Sequence, residues 1–170
     1  NLFKEYQELM GMPIDMDEIF GKLYNHALTG DADCGGLISY NYFSGEPVTG
    51  LTEGRPLFVR TASDKFNLAN FMRANIYSAF ATLAMGLEIL RKENVAVNTL
   101  LGHGGIFKTP GVAQRYLAAA AGVPVTCMET AGEGGSYGMA LLAAYRLHRA
   151  DGEALAAYLN RCVFADAQST

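Results

Sequence analysis

Two glycine-rich stretches hold most of the residues whose types and spacing suit ligand chemistry. The first is Gly102-His103-Gly104-Gly105-Ile106-Phe107-Lys108-Thr109-Pro110; the second is Thr130-Ala131-Gly132-Glu133-Gly134-Gly135-Ser136-Tyr137-Gly138. Glycine lets backbone approach a ligand closely, and unpaired N–H groups at a helix start attract anions. Each stretch follows a strand-like run and precedes a helical pattern. Open α/β sheets bind ligands at the carboxyl edge of their strands, so the two loops are expected to flank one cleft. The pattern points to an anion or nucleotide site. It is neither a GxxxxGK[ST] phosphate loop nor a GxGxxG opening a first strand. The plainer alternative stays open: glycines that only permit a tight strand-to-helix turn, or, at Gly134, Gly135 and Gly138, close helix–sheet packing.

Other polar residues have weaker claims. His26, His103 and His148 lie too far apart to suggest a metal set, and no Ser-His-Asp arrangement is visible. His103 suits loop packing better than a phosphate contact, while Lys108 fits phosphate neutralisation and a solvated helix start equally. Glu133 beside a helix start is explained by the helix dipole alone. Asp31 and Asp33 read as solvated loop acids. Cys34, Cys127 and Cys162 are scattered, in no CxxC spacing, which fits a reducing cytosol.

These residues need elements to position them. Leu2 to Met10 and Asp15 to Leu28 read as helices, the second with Asp15 as N-cap and Glu18 three residues on. Gly35 to Phe43 reads as a short strand or extended segment, residues 44–56 as loop and Leu57 to Arg60 as a strand. Ser63 or Asp64 is expected to cap a long helix over 65–92. Its stripe of Phe66, Phe71, Ile76, Phe80, Leu83, Leu87 and Leu90 is expected to be core. Val95 to Leu101 reads as a buried strand. Thr109-Pro110 then opens a helix that Gly122 ends, with Pro110 suited to the first turn. Val123 to Cys127 is a second strand, Glu133 to Arg149 an Ala-rich helix, and Asp151 starts a last one. Strand–helix–strand–helix predicts an α/β fold with parallel strands.

Composition agrees with a folded domain. The 170 residues are 50% hydrophobic and 18% charged, which excludes wholesale disorder. Thirteen Lys+Arg against 17 Asp+Glu give a net charge of −4 and no basic stretch, and no apolar run reaches the roughly 18 residues a membrane helix needs, so neither nucleic acid nor membrane is an expected partner. The chain opens Asn1-Leu2-Phe3 in what reads as mid-helix, and the expectation is a piece of a longer protein.

The order GLISYNYFSGEP, long helix, LLGHGGIFKTPGVAQRYLAAAAGVPV, ETAGEGGSYGMALLAA resembles the carboxyl-terminal half of the FGGY carbohydrate kinases, nearest their xylulokinase-like branch. The resemblance runs from about Gly35 to Tyr145. It divides the chain into a helical lead-in (1–34), a core (35–149) and a terminal helix and tail (150–170). It implies an actin-like, ribonuclease-H-like ATPase domain, with transfer of the ATP γ-phosphoryl to a sugar hydroxyl, assisted by Mg²⁺. It also implies that Gly104, Gly105, Lys108 and Thr109 contact the nucleotide, and that Ala131, Gly132, Glu133, Gly134 and Gly135 help wall the adenine. No catalytic residue is expected here, because the general base belongs to the missing amino-terminal kinase domain. The implied protein is cytoplasmic, binds sugar and ATP, and is a possible homodimer. Its substrate would be a pentulose such as xylulose, and these residues alone would be inactive. A non-catalytic actin-like module, sensing nucleotide or mediating assembly, is the alternative. The chain departs from the family pattern in four places: Tyr77-Ser78 replace a usual Glu-Gly, Ala118-Ala119 a usual Ala-Asp, His103 a common glycine, and the spacing from the loop to Gly122 is one residue long.

Overall fold

A 25-residue helix, Leu68–Lys92, is the spine against which the helices on either side of it in the chain pack most extensively. The structure is a computed structural model and describes residues 2–13, 15–128 and 134–165. Before the spine come α1 (Leu2–Leu9), α2 (Met16–Ala27), β1 (Ile38–Tyr40) and β2 (Leu57–Val59). The spine is α3; after it come β3 (Leu100–Gly102), α4 (Val112–Ala121), β4 (Val125–Cys127), α5 (Gly134–His148) and α6 (Leu155–Cys162).

Helix α2 forms as its sequence predicts. The Asp15 carboxylate accepts from the N–H groups of Asp17 and Glu18 at 2.9 and 3.1 Å, satisfying two donors that the first turn leaves unpaired. Its Ile19, Leu23 and Ala27 are buried with Met72, Ile76, Phe80 and Leu87 of α3, and α4 closes the same core with Val112, Tyr116 and Leu117. Tyr116 cannot leave its hydroxyl unpaired there; it donates to the Ala27 carbonyl at 2.7 Å and joins α4 to the end of α2.

The cap of α3 is Asn67, whose side chain accepts from Asn70 N–H at 2.9 Å, rather than Ser63 or Asp64. The cause is tertiary: Lys65 N–H donates to the Gly35 carbonyl at 2.9 Å, which holds the chain outside the helix at that point. Asp64 instead closes a turn by accepting from Thr61 N–H. The expected stripe is only partly core. Ile76, Phe80 and Leu87 are buried, whereas Phe66, Leu83 and Leu90 are exposed. Phe66 precedes the helix and joins Phe58 and Phe71 in an edge-packed aromatic group.

Strands β1 and β2 pair antiparallel; β3 and β4 pair parallel, with Leu100 opposite Val125 and Gly102 opposite Cys127. The predicted strand over Val95 to Leu101 shrinks to Leu100–Gly102. The next pairing position would set Thr99 against Pro124, which has no N–H to offer, so the ladder stops there. Helix α4 begins at Val112, not at Thr109-Pro110: a 3₁₀ turn over Gly105–Lys108 and a left-handed Gly111 (φ 77°) intervene. Pro110 therefore lies outside the helix. Gly122, left-handed at φ 70°, ends α4 as expected. Asp151 sits in a turn whose Gly152 is left-handed (φ 71°), a conformation outside the α-helix, and α6 starts only at Leu155.

Candidate functional site

The first glycine loop leaves β3 at its carboxyl end, and its glycines do different jobs. A Cβ on Gly102 would lie 2.6 Å from Cζ of Phe107, so Gly102 exists to admit that ring. Phe107 packs on the main core, 6.5 Å from Phe80 between centroids, and pins the loop. Gly104 has φ 113° and ψ 172°, a conformation open essentially to glycine alone. Gly105 has no such demand: its φ is ordinary and a Cβ would meet nothing within 4 Å. Among the described residues, bare backbone at Gly105 therefore serves no packing.

What Gly105 faces is a cavity of about 690 Å³. Gly105, Ile106, Lys108, Thr109 and Pro110 form one wall, and α2 forms the other through Phe20, Gly21 and Tyr24 among others. The volume lies within the usual range for small-molecule sites, about 300–1,000 Å³. Burial raises the pKa of the Tyr24 phenol, so the hydroxyl stays neutral. Thr109 is buried and Lys108 exposed. The α2 wall was not anticipated. Its signal was present in the spacing of Phe20, Gly21, Tyr24 and Asn25, a second helical face beside the core-facing Ile19, Leu23 and Ala27.

Of the second loop, Ala131, Gly132 and Glu133 lie outside the described residues, as do Glu129 and Thr130. Gly134 and Gly135 open α5. A Cβ on Gly134 would come 2.9 Å from His103 Nδ1, so the two loops meet at this contact and His103 packs against the start of α5. Gly135 and Gly138 have open space around them, so packing within the described residues gives no reason for either glycine.

Several other sequence candidates turn out to be scaffold. Asp31 pairs with Lys65 at 3.2 Å and accepts from the Asn70 amide at 3.2 Å; that hydrogen bond, then Lys65, lowers its pKa. Asp33 accepts from Gly35 N–H at 2.9 Å and closes a turn. The Arg73 guanidinium lies over the rings of both Tyr77 and Tyr116, at 5.5 and 5.3 Å. Ser78 accepts from Asn41 N–H at 3.0 Å. Cys34 and Cys127 are buried free thiols whose pKa values burial raises, which disfavours the nucleophilic thiolate. Among the described residues, no group of three His, Cys, Asp or Glu side chains could hold a metal ion, and no helix is long and apolar enough to cross a membrane.

A loop at the carboxyl edge of parallel strands, opening on a ligand-sized cavity, stands where α/β domains bind their ligands. The chain belongs to the FGGY family of carbohydrate kinases: the model of that family's C-terminal domain matches residues 7–147. Among solved structures, a ligand-bound xylulose kinase from Lactobacillus acidophilus is 21% identical, with a TM-score of 0.63 over 87% of this chain and 28% of that one. The xylulose kinase of Bifidobacterium adolescentis is 22% identical, with a TM-score of 0.57 over 86% of this chain and 27% of its own. A Plasmodium falciparum glycerol kinase with ADP is 15% identical, with a TM-score of 0.58 over 91% and 29%. At these identities the likeness is one of fold, that of the actin-like C-terminal domain of sugar kinases. The chain spans little more than a quarter of the length of these structures. No curated protein matches it.

Proposed function

We propose that this chain is the ATP-binding domain of a sugar kinase that transfers the ATP γ-phosphoryl to a sugar hydroxyl. The substrate proposed is a pentulose such as xylulose, since xylulose kinases stand among the similar structures. One observation carries the reading: Gly105, a glycine that no dihedral and no contact among the described residues requires, lines a cavity of about 690 Å³ at the carboxyl end of β3. Backbone without a Cβ is what close approach of a phosphate requires. Lys108 and Thr109 belong to the same wall, while Gly104 is assigned to the nucleotide, and Ala131, Gly132, Glu133, Gly134 and Gly135 to its adenine side, by the family resemblance alone. The described residues offer no carboxylate cluster for Mg²⁺, so the ion enters this reading with the triphosphate, and no step is derived through it.

The catalytic base would come from an amino-terminal kinase domain closing over the sugar; excluding water there protects the γ-phosphoryl from hydrolysis. On this reading these residues alone bind nucleotide at most weakly and turn nothing over. The same proposal places the protein in the cytoplasm, with sugar and ATP as its small-molecule partners. A non-catalytic nucleotide-sensing module would share the binding and lack sugar phosphorylation in any longer chain.

The test is calorimetric titration with Mg-ADP and Mg-ATP, using Gly105→Asp as control. A Cβ at this position meets no described atom within 4 Å, so the substitution should leave the fold intact, which a thermal melt checks. A carboxylate about 4 Å from a phosphate opposes it by about 4 kcal/mol at an effective dielectric near 20, and less where solvent screens it. Affinity should fall at least about 10-fold, a change of about 1.4 kcal/mol. Equal binding by both proteins removes the nucleotide from this loop.

A further inference from the structure

The glycine loop runs between two fixed points, Gly102 and Phe107. Gly102 is buried and held in the strand ladder opposite Cys127. The ring of Phe107 is seated against the core, 6.5 Å from Phe80 between centroids and tilted 45° to it. The two points are also in contact with each other. A Cβ on Gly102 would collide with Cδ1, Cε1 and Cζ of the ring, so the loop's last side chain lies on the bare backbone of its first residue. Inside this closure the Phe107 N–H donates to the Gly104 carbonyl at 3.0 Å. Main chain and side chain of one residue thus hold the short segment that presents Gly104 and Gly105. Gly105, Ile106 and Lys108 line the cavity, whereas Phe107 turns its ring to the core behind them.

We propose that Phe107 is a positioning residue for nucleotide binding: seated on Gly102, it holds the Gly104–Gly105 backbone in its binding conformation before the nucleotide arrives, and does not touch the nucleotide itself. Glycine loses more conformational freedom on ordering than any other residue. A glycine-rich loop left free would have to be ordered by its ligand, which weakens binding; a loop already closed on itself avoids that cost. Gly102 and Phe107 act as one unit, because the ring has a seat only where the Cβ is missing. The proposal rests on the nucleotide reading above and adds to it a residue behind the loop, whose side chain faces the core.

The experiment is a double-mutant cycle on the 170-residue chain, read by calorimetric titration with Mg-ADP below the melting temperature of every variant. Gly102→Ala drives the ring off its seat, and Phe107→Val removes the three ring carbons that the seat accommodates. Each should weaken ADP at least about 10-fold. The amide of residue 107, which is bonded to Gly104, should exchange its hydrogen at least about 10-fold faster in either variant, a change that loss of core packing alone would not confine to the loop. In the Phe107→Val background, Gly102→Ala should cost no more than about twofold further, because no ring is left to displace. If Phe107→Val does not fold, Phe107→Leu, which also lacks Cε1 and Cζ, takes its place. Losses that multiply to about 100-fold or more would mean that the two residues act separately, and the proposal fails. It fails also, with the nucleotide reading intact, if both single variants keep parental ADP affinity while Gly105→Asp loses it. If Gly105→Asp leaves ADP unchanged, or the parent chain does not saturate with millimolar ADP, both fail together.

Discussion

Replacing Asn70 with alanine should destabilise this domain more than most single polar changes. Asn70 is wholly buried on the first turn of α3. Its Oδ1 accepts from Asp31 N–H at 2.7 Å, and its Nδ2 donates to the Lys65 carbonyl at 3.0 Å and to the Asp31 carboxylate at 3.2 Å. One side chain thus ties two loop segments to the spine. Truncation strands one backbone donor and one backbone acceptor, each costing about 1–3 kcal/mol when left unpaired. The Asp31 carboxylate remains solvated and adds little. A total near 3 kcal/mol is a large share of the roughly 10 kcal/mol expected for a domain of this size. It should lower Tm by about 6–12 °C. Urea melts of the Asn70→Ala and parent proteins measure it, with the exposed Asn160→Ala as control, expected within about 0.5 kcal/mol. A loss below about 1 kcal/mol at Asn70, with an unchanged m-value, would mean that water replaces the amide, and the bridging argument would be wrong.

Two more outcomes follow from the same corner. Gly35→Ala should cost clearly more than Gly50→Ala in thermal melts: both have positive φ, but a Cβ on Gly35 runs into Asn70 and Lys65, whereas at Gly50 it meets nothing. Asp31 is held below its ordinary pKa by the Asn70 amide and then Lys65, so its contribution is present above about pH 4 and is lost as pH falls through the lowered folded value. The Asp31→Asn protein should therefore show a flatter loss of stability on acidification below about pH 4; an acid limb identical to the parent's would refute the assignment.

Local signals were legible wherever one residue decides the outcome by itself. Asp15 caps α2 through its carboxylate, and Gly122, free to turn left-handed for want of a side chain, ends α4. The parallel pairing of β3 and β4 follows from element order. What escaped the sequence depends on partners distant along the chain. Lys65 is drawn out of α3 by Gly35, and Pro124 shortens a strand that its neighbour's β-branched residues would have continued. Pro110 looked like a helix start because Gly111, left-handed, is invisible in a string of letters. For the candidate site, the glycine loop was readable as a type of site, but the individual duties of its glycines were not. Gly102 answers to Phe107, Gly104 to its own dihedrals, and only Gly105 is left for a ligand. The α2 wall was hidden because its helical pattern reads as one amphipathic stripe, and only packing separates the core face from the cavity face.

The corner between α5 and α6 holds itself together. Glu153 takes two hydrogen bonds from Arg161, at 3.0 Å each, and its carbonyl accepts from the Tyr145 hydroxyl at 2.7 Å; Tyr145 and Tyr158 meet edge to face. Every partner lies between residues 145 and 161, and α5 buries none of its described residues. Such a pair opens as its own cooperative unit, at a lower free energy than the α2–α3–α4 core. Native-state hydrogen exchange should then fall into two tiers. The amides of α5 and α6 would exchange together and early, while those around Ile76 and Tyr116 wait for global unfolding.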